Sequence, residues 1–308
     1  MKSINKNEMT HQEWLDIRSK SIGSSDAGVV VGANPWKTIV DLYFEKVNKS
    51  ISTEDNLAMK LGRELEPILR RLFLEETGLK VRIDNKIRVD KEHNFLTANL
   101  DGMVQGEKVP IELKTASRWT GEIPDHYFLQ IQHQMMVTDV PYIYFAVLVL
   151  GYNKRFIVEK YDRNEDCIDH LRKEEIKFWM NYVIKETPPP PTSVSDTKTL
   201  YPNQNENILE FYDDDVVDKI VDYRDDMEKM RLLKAKMEGT KVYLMEHIKD
   251  NEGINVHGIV RYNGPHIVTW KKSSDRQVFD TKKFKKENED LYNKYLFTKE
   301  GSRRFIVK

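Results

Sequence analysis

Apolar positions recur at helical spacing most clearly over residues 58–78, where Leu61, Leu65, Ile68, Leu69, Leu72 and Phe73 fall at steps of three and four. That period predicts an amphipathic helix, and Gly78 supplies its C-terminal stop. Shorter helical patterns cover 13–18, with Trp14 and Ile17 on one face, 39–47, with Leu42, Tyr43 and Val47 inward, 127–138, and 166–185. Strands are expected at 81–89, 95–100, 142–150 and 155–159. In the run 109–114, Val-Pro-Ile-Glu-Leu-Lys, the period of two puts Ile111 and Leu113 on one face and Glu112 and Lys114 on the other. Asp101 closes the extended run before it, and Gly102 and Gly106 punctuate a turn. The two segments are therefore expected as a hairpin that brings Asp101 beside Glu112.

After Thr187 the pattern changes. Four prolines, Pro188 to Pro191, cannot continue a helix, and the polar chain to Asn207 reads as a linker or a loop crossing the surface. Val216, Ile220, Tyr223, Met227, Met230, Leu233, Met237, Leu244 and Ile248 then predict one long charged helix with an apolar stripe. Such a helix is an arm, a packing helix or a partner surface. Residues 254–272 are expected as a hairpin turning at Asn263-Gly264, and 301–308 as a basic final strand in which Arg303 and Arg304 are candidate phosphate contacts. The expected division is a core over 1–187, a proline-rich linker or loop over 188–207, and a C-terminal extension over 208–308.

Composition narrows the function classes. Lys and Arg number 49 against 50 Asp and Glu, so nucleic-acid binding would have to come from local clustering and metal-neutralised phosphates. A single cysteine, Cys167, excludes a disulfide framework and cysteine-based zinc and fits a reducing compartment. The longest apolar run, near 142–150, is too short to span a bilayer, and no leader pattern opens the chain. A cytoplasmic protein without a membrane partner is expected.

The chemistry concentrates at the predicted hairpin. Asp101, Glu112 and Lys114 would place two carboxylates and an ammonium on one surface. Hard anionic oxygens suit Mg²⁺ or Mn²⁺, and the lysine would stabilise an attacking hydroxide or the charge of a developing phosphorane. That is a recipe for metal-assisted phosphodiester cleavage. The motif is weak by itself, since an acid two residues before a lysine recurs at Asp84/Lys86, Glu175/Lys177, Asp196/Lys198 and Asp280/Lys282 in a chain that is 32% charged. Its company decides. Glu66, at the edge of the apolar stripe and followed by Pro67, is either an exposed glutamate or a third metal carboxylate. Ser24, Ser25 and Asp26 either cap the next helix or, with Arg18, form a phosphate seat. Gln130, Gln132 and Gln134 lie in an apolar helix and need partners, because an unpaired buried amide costs about 1–3 kcal/mol. They pack against backbone, or Gln130 bonds a carboxylate or water at the site. His133 reads as structural, with no second histidine at metal spacing.

Four separated blocks together resemble the lambda-exonuclease-like phage recombination nucleases, in their YqaJ-like viral recombinase branch. The blocks are Arg18 with Ile22-Gly23-Ser24-Ser25-Asp26, Gly62-Arg63-Glu64-Leu65-Glu66-Pro67, Leu100-Asp101-Gly102 with Ile111-Glu112-Leu113-Lys114, and Tyr127 with Gln130-Ile131-Gln132-His133-Gln134. The closing Gly301-Ser302-Arg303-Arg304-Phe305 extends the likeness to the end of the chain. The resemblance implies an α/β fold with a restriction-endonuclease-like (PD-(D/E)XK) core, a mixed central sheet flanked by helices, and a helical plus β-hairpin extension. It implies that Glu66, Asp101, Glu112 and the Leu113 carbonyl hold two Mg²⁺, that Lys114 activates or orients water, and that Gln130 fixes the site. Arg18 and Ser25 would grip the 5′-phosphate, with Tyr127 on the DNA side. The chain departs from lambda-exonuclease-like members at Asn99, where a serine stands two residues before the metal aspartate. The implied activity is 5′ to 3′ degradation of one strand of duplex DNA. The implied partners are DNA ends, a single-strand annealing protein and further copies of the chain in a trimeric ring. A nicking or structure-specific endonuclease on the same core, or a non-catalytic recombination scaffold, are the alternatives.

Overall fold

A computed structural model describes residues 2–6, 9–48, 57–151, 154–205, 207–256, 266–299, 301 and 303–307. The chain divides into two compact units, Met1–Tyr201 and Pro202–Lys308. The first is mixed α/β. Its elements run β1 (Lys2–Asn5), α1 (His11–Ser19), β2 (Ile22–Gly23), a 3₁₀ turn (Ser24–Asp26), α2 (Ala27–Val30), α3 (Ile39–Val47), α4 (Leu57–Thr77), β3 (Val81–Arg82), β4 (Lys86–Val89), β5 (Leu96–Asn99), β6 (Gly102–Val104), β7 (Pro110–Ala116), α5 (Asp125–Thr138), β8 (Tyr142–Val149), β9 (Arg155–Asp162), α6 (Glu165–Phe178) and α7 (Val194–Leu200).

Two sheets carry this unit, ordered β1-β4-β5-β2 and β3-β6-β7-β8-β9. In the larger one β7 and β8 pair in parallel, Glu112 beside Phe145 and Lys114 beside Val147, and every other pairing is antiparallel. A parallel pair needs a crossover, and α5 provides it. The alternation read from 109–114 decides what each face of β7 meets. Ile111 and Leu113 pack against Leu69 and Phe73 of α4. The opposite face, with Phe145 and Val147, packs under Ile131 and Met135 of α5, and Glu112 and Lys114 share it.

The expected hairpin forms between β6 and β7, with Gly102 opposite Ile111. Gly102 is required by close approach, because a Cβ there would stand 2.4 Å from the Val81 side chain. The single strand expected over 81–89 is instead two strands in different sheets, β3 and β4. They are separated at buried Asp84, which takes a two-pronged bond from Arg88 at 2.8 Å on each oxygen. The apolar stripe of α4 is less buried than its period suggests: Leu69 and Phe73 are enclosed, while Leu61 and Ile68 are 45% and 38% exposed. The helix expected over 166–185 runs as α6 and then a π-helical turn, Trp179–Val183.

The stretch 188–207, expected as a linker or surface loop, is in large part docked on the first unit. Pro189 is buried, and Asp196 of α7 accepts a 2.7 Å bond from the Thr38 hydroxyl. The division between the units falls after Tyr201, inside the stretch expected as a linker or loop.

The second unit holds the expected long helix as α8 (Asp214–Ile248), 35 residues, then β10 (Gly253–Val256) antiparallel to β11 (His266–Thr269), α9 (Thr281–Glu287) and α10 (Glu289–Lys294). The Asn263-Gly264 turn lies outside the described residues, as do Ser302 and Lys308. Residues 301 and 303–307 form no strand, which corrects the expected final strand: the segment finds no ladder partner, and Phe305 packs edge-on to Tyr223 with ring centres 5.6 Å apart. No helix among the described residues is long and apolar enough to cross a membrane.

Candidate active site

One cavity of about 410 Å³ in the first unit is lined by Glu66, Asp101, Glu112, Lys114 and Gln130 together with Arg18 and Ser25. These residues come from α1, the turn before α2, α4, the β6–β7 hairpin and α5, so five separate stretches of sequence meet there. The hairpin sets the centre. Asp101 stands just before β6, and its Oδ2 accepts from the Leu113 amide at 2.8 Å, which pins the aspartate against β7. Glu112 is 2% exposed and is held on both oxygens. Gln130 Nε2 donates to Oε1 and Gln134 Nε2 to Oε2, each at 2.6 Å. The Lys114 ammonium lies 2.5 Å from Oε1 and 5.0 Å from the Tyr127 ring centre.

Electrostatics follow from this crowding. Burial, then the neighbouring Glu112, push the Asp101 carboxyl up to about 8. Burial alone would lower the Lys114 ammonium, but Glu112 and Asp101 outweigh it and raise its pKa. The centre is thus two acids competing for one cation. Glu66 lines the cavity from α4, with its side chain drawn to Arg70 at 3.2 Å, one helical turn on. Arg70 also reaches the Asp101 carbonyl at 3.4 Å. Among the described residues no three of His, Cys, Asp and Glu stand together as a closed metal cage. The carboxylates share a cavity, and the arginine holds Glu66 at its margin.

The wall opposite belongs to Arg18 and the 24–26 turn. The Arg18 guanidinium lies 5.3 Å over the Trp14 ring, and Ser25 is exposed to the cavity. Beneath them a buried ion pair ties the two segments together. Lys46 Nζ lies 2.7 Å from Asp26 Oδ2 and donates to the Arg18 carbonyl at 3.0 Å, while Asp26 also accepts from the Gly23 amide at 3.1 Å. Burial opposes ionisation of Asp26, but Lys46, Lys37 and Arg18 hold its carboxyl well below the usual range. Asp26 thus fixes the turn by bonding and by charge.

His133 is structural, as its lack of a metal-spaced partner suggests. Its Nδ1 faces Glu175 at 2.7 Å and its Nε2 faces the Thr97 carbonyl at 2.9 Å. Both ring nitrogens meet oxygen acceptors, so the cationic form is favoured. Burial works against the charge, but Glu175 prevails and raises the histidine pKa. Gln132 likewise serves packing, donating to the Asp162 carbonyl and accepting from the Asn164 amide.

Tyr127 is not part of the cavity lining; its ring packs 5.9 Å from Phe145. Arg303 and Arg304 belong to the second unit, where Arg303 donates to the Asn203 carbonyl at 3.3 Å. Several contributors were not read from sequence. Gln134 follows Gln130 by one helical turn and Arg70 follows Glu66 by the same step, so each was legible as a neighbour on its helix face. Lys46 sits one turn after Leu42 on the inward face of α3, where a lysine is out of place unless paired. Lys6, which lines the cavity beyond β1, carries no such signal.

The YqaJ-like viral recombinase domain matches residues 13–141. Protein YqaJ of Bacillus subtilis strain 168 is 30% identical over 313 residues, covering 98% of this chain and 95% of that protein. Protein R354 of Acanthamoeba polyphaga mimivirus is 23% identical over 159 residues, 46% of this chain and 29% of its own. Among solved structures, an alkaline exonuclease from Laribacter hongkongensis superposes with a TM-score of 0.48 at 23% identity, covering 57% of this chain and 94% of that one. A phage-related exonuclease from Haemophilus somnus 129PT gives 0.44 at 16%, covering 56% and 97%.

Proposed function

The chain belongs to the YqaJ-like viral recombinase family, and from that premise we propose that it is a metal-dependent exodeoxyribonuclease on a restriction-endonuclease-like core. It degrades one strand of linear duplex DNA from the 5′ end and leaves a 3′ overhang for recombination. The observation that carries this reading is the single cavity that gathers Asp101, Glu112 and Lys114 on one wall and Arg18 and Ser25 on the other.

The donor set fits a hard divalent ion. Asp101 is half-buried and Glu112 buried, and the two carboxylates are close enough to raise the pKa of the first, a repulsion that a cation relieves. Mg²⁺ keeps several waters and is commonly held by one or two carboxylates plus substrate phosphate, so a full protein cage is not required. Bound there, two such ions supply Lewis-acid polarisation of the scissile phosphate and a water of lowered pKa. Asp101, Glu112 and the Leu113 carbonyl would hold them, with Glu66 reaching in from α4. Gln130 and Gln134 keep Glu112 from turning. Lys114, already poised on Glu112, presents its ammonium to the attacking oxygen or to a non-bridging phosphate oxygen. Arg18 and Ser25 take the 5′-phosphate. The same reading carries a single-strand annealing protein as partner and a homo-oligomeric ring, a trimer, around the DNA.

End-labelled linear duplex incubated with and without Mg²⁺ tests this. Loss of the 5′ label as short products while the 3′ label of the same strand stays on long ones, with no reaction in EDTA, is expected. Cleavage that persists in EDTA, or circular duplex cut as fast as linear, overturns it.

A further inference from the structure

The long helix α8 carries its apolar stripe into solvent. Ile220, Tyr223, Met227, Met230 and Met237 are between 40% and 63% exposed, and only its last residue, Ile248, is buried. Among the described residues of its own unit Phe305 meets Tyr223 and Val268 to Trp270 flank the far end, and a helix whose stripe is otherwise uncovered is an incomplete packing unit. The charges along it say what completes it. From Asp214 to Glu228 the helix has seven carboxylates against two basic side chains, and from Lys229 to Ile248 five basic side chains against two carboxylates. One end is acidic and the other basic, with the change between Glu228 and Lys229.

We propose that α8 pairs antiparallel with α8 of a second copy of this chain, centred on that change of sign. Centring on the change of charge also aligns the stripe. It sets Ile220 opposite Met237 and Met227 opposite Met230, and it sets Tyr223 opposite Lys234, whose stem can lie along the ring. In heptad terms each a position then faces a d position of the other helix, and the acidic half of each helix runs beside the basic half of the other. A parallel pair would instead stack the acidic halves on one another.

The surface at the basic end fits the acidic end. Leu233, Met237, Leu244 and Trp270 line an open apolar groove of about 390 Å³ between α8 and β11, with Lys236 and Lys241 beside it. The antiparallel overlay brings the stretch around Val217, Ile220 and Val221 of the second copy to this groove, flanked by Asp218 and Asp222. The pairing is independent of the nuclease reading and of any ring formed by the first unit, because it concerns which residues face each other and not how many copies assemble.

Disulfide trapping in the full chain tests it, with Cys167, the sole native thiol, replaced by alanine. Ile220→Cys with Met237→Cys in one chain should give a covalent dimer on mild oxidation, and neither single substitution should. The two positions lie about 25 Å apart along one helix, so they cannot close within a chain. A double variant that stays uncrosslinked, or an Ile220→Cys single that crosslinks as well as the double, overturns the proposal. In the crosslinkable chain, replacing Asp222, Asp225 and Asp226 together by lysine should lower the dimer yield several-fold, because the first half of the helix is then no longer acidic. An unchanged yield in that triple variant overturns the charge-matched register.

Discussion

The two units of this chain bury opposite things. The first encloses charge: Asp26 with Lys46, His133 with Glu175, and Glu112 between two glutamine amides, all nearly or wholly shielded from water. The second leaves apolar side chains outside, along most of a 35-residue helix. Each arrangement costs free energy in a chain considered alone. Burying an ion costs several kcal/mol before its partner offsets it, and exposed methyl and methylene groups forgo about 25 cal/mol per Å². The difference separates two kinds of task. In the first unit the expense fixes positions, since these buried charges sit beside or beneath the cavity or brace the helix that carries Gln130. In the second it leaves a surface for another protein surface to cover.

Removing one buried charge should therefore have its largest effect on chemistry. Glu112→Gln keeps the volume but removes the anion that two amides and the Lys114 ammonium converge on. Cleavage of linear duplex should fall by on the order of 10²–10³-fold, a loss typical of deleting one electrostatic group from a reacting centre. The thermal midpoint should fall as well, by a cost on the order of 1–3 kcal/mol, because one of the two glutamine donors then meets an amide NH2 in place of an oxygen, so rates are compared well below the transition. The matched substitution in the other unit, Glu228→Gln, touches an exposed pair with Arg231 and should leave both rate and midpoint unchanged. Equal rates for the two variants would remove Glu112 from the chemistry.

The brace under α5 should show in stability instead. Glu175→Gln leaves the His133 cation buried without its counter-charge, and breaking such a pair costs about 3–5 kcal/mol in urea unfolding. The pH dependence has a definite sign. The His133 pKa is raised by folding, so its contribution is fully present below the unfolded value of about 6.5. It is lost as pH rises through the higher folded value. The difference in urea midpoint between wild type and Glu175→Gln should thus narrow as pH climbs above that window. A difference that widens with pH would contradict the cationic histidine.

At the far wall the effect should be smaller and selective. Arg18→Ala removes a guanidinium that lines the cavity but leaves the carbonyl held by Lys46, so the turn should stay in place. Digestion of 5′-phosphorylated ends should slow by about tenfold, as expected for one charged hydrogen bond of about 1.5 kcal/mol, with 5′-hydroxyl ends nearly unaffected. Equal slowing on both would show that Arg18 acts through the fold and not on the phosphate.

How far the sequence reveals these sites depends on the distance over which each is specified. The β6–β7 hairpin was legible because alternation, a proline and two glycines encode it within sixteen residues. Helices α3 and α8 were legible for the same reason, through the period of their apolar positions. The four other acid-x-lysine pairs show where local reading stops. Asp84 proves to anchor Arg88, Glu175 to hold His133, Asp196 to receive Thr38 across 158 residues, and Asp280 to cap α9. Nothing within a few residues of Glu175 names His133, and Asp196, although its spacing from Ser193 marks a capping box, carries no local sign of Thr38, so their likeness to Glu112 was purely formal. The split of 81–89 into two sheets was hidden similarly, since both halves keep the strand pattern and only the burial of Asp84 reveals the break.

The smallest expected effect lies on the exposed stripe, and there the comparison can be made sharpest. Phe73→Ala in the first unit empties a fully enclosed site and should cost about 3–5 kcal/mol at any protein concentration. Met227→Ser, at a side chain 46% exposed, should shift the urea midpoint of dilute protein by less than about 0.5 kcal/mol. Concentration should then separate them. If α8 pairs with itself, the wild-type α8 transition rises in midpoint with protein concentration, because association favours the folded helix by mass action. Met227 and Met230 form the central layer of that pair, so Met227→Ser should flatten the dependence without lowering the dilute value. A midpoint for α8 that is flat in the wild type, or that rises equally in Met227→Ser, would mean that the stripe is not what joins the copies.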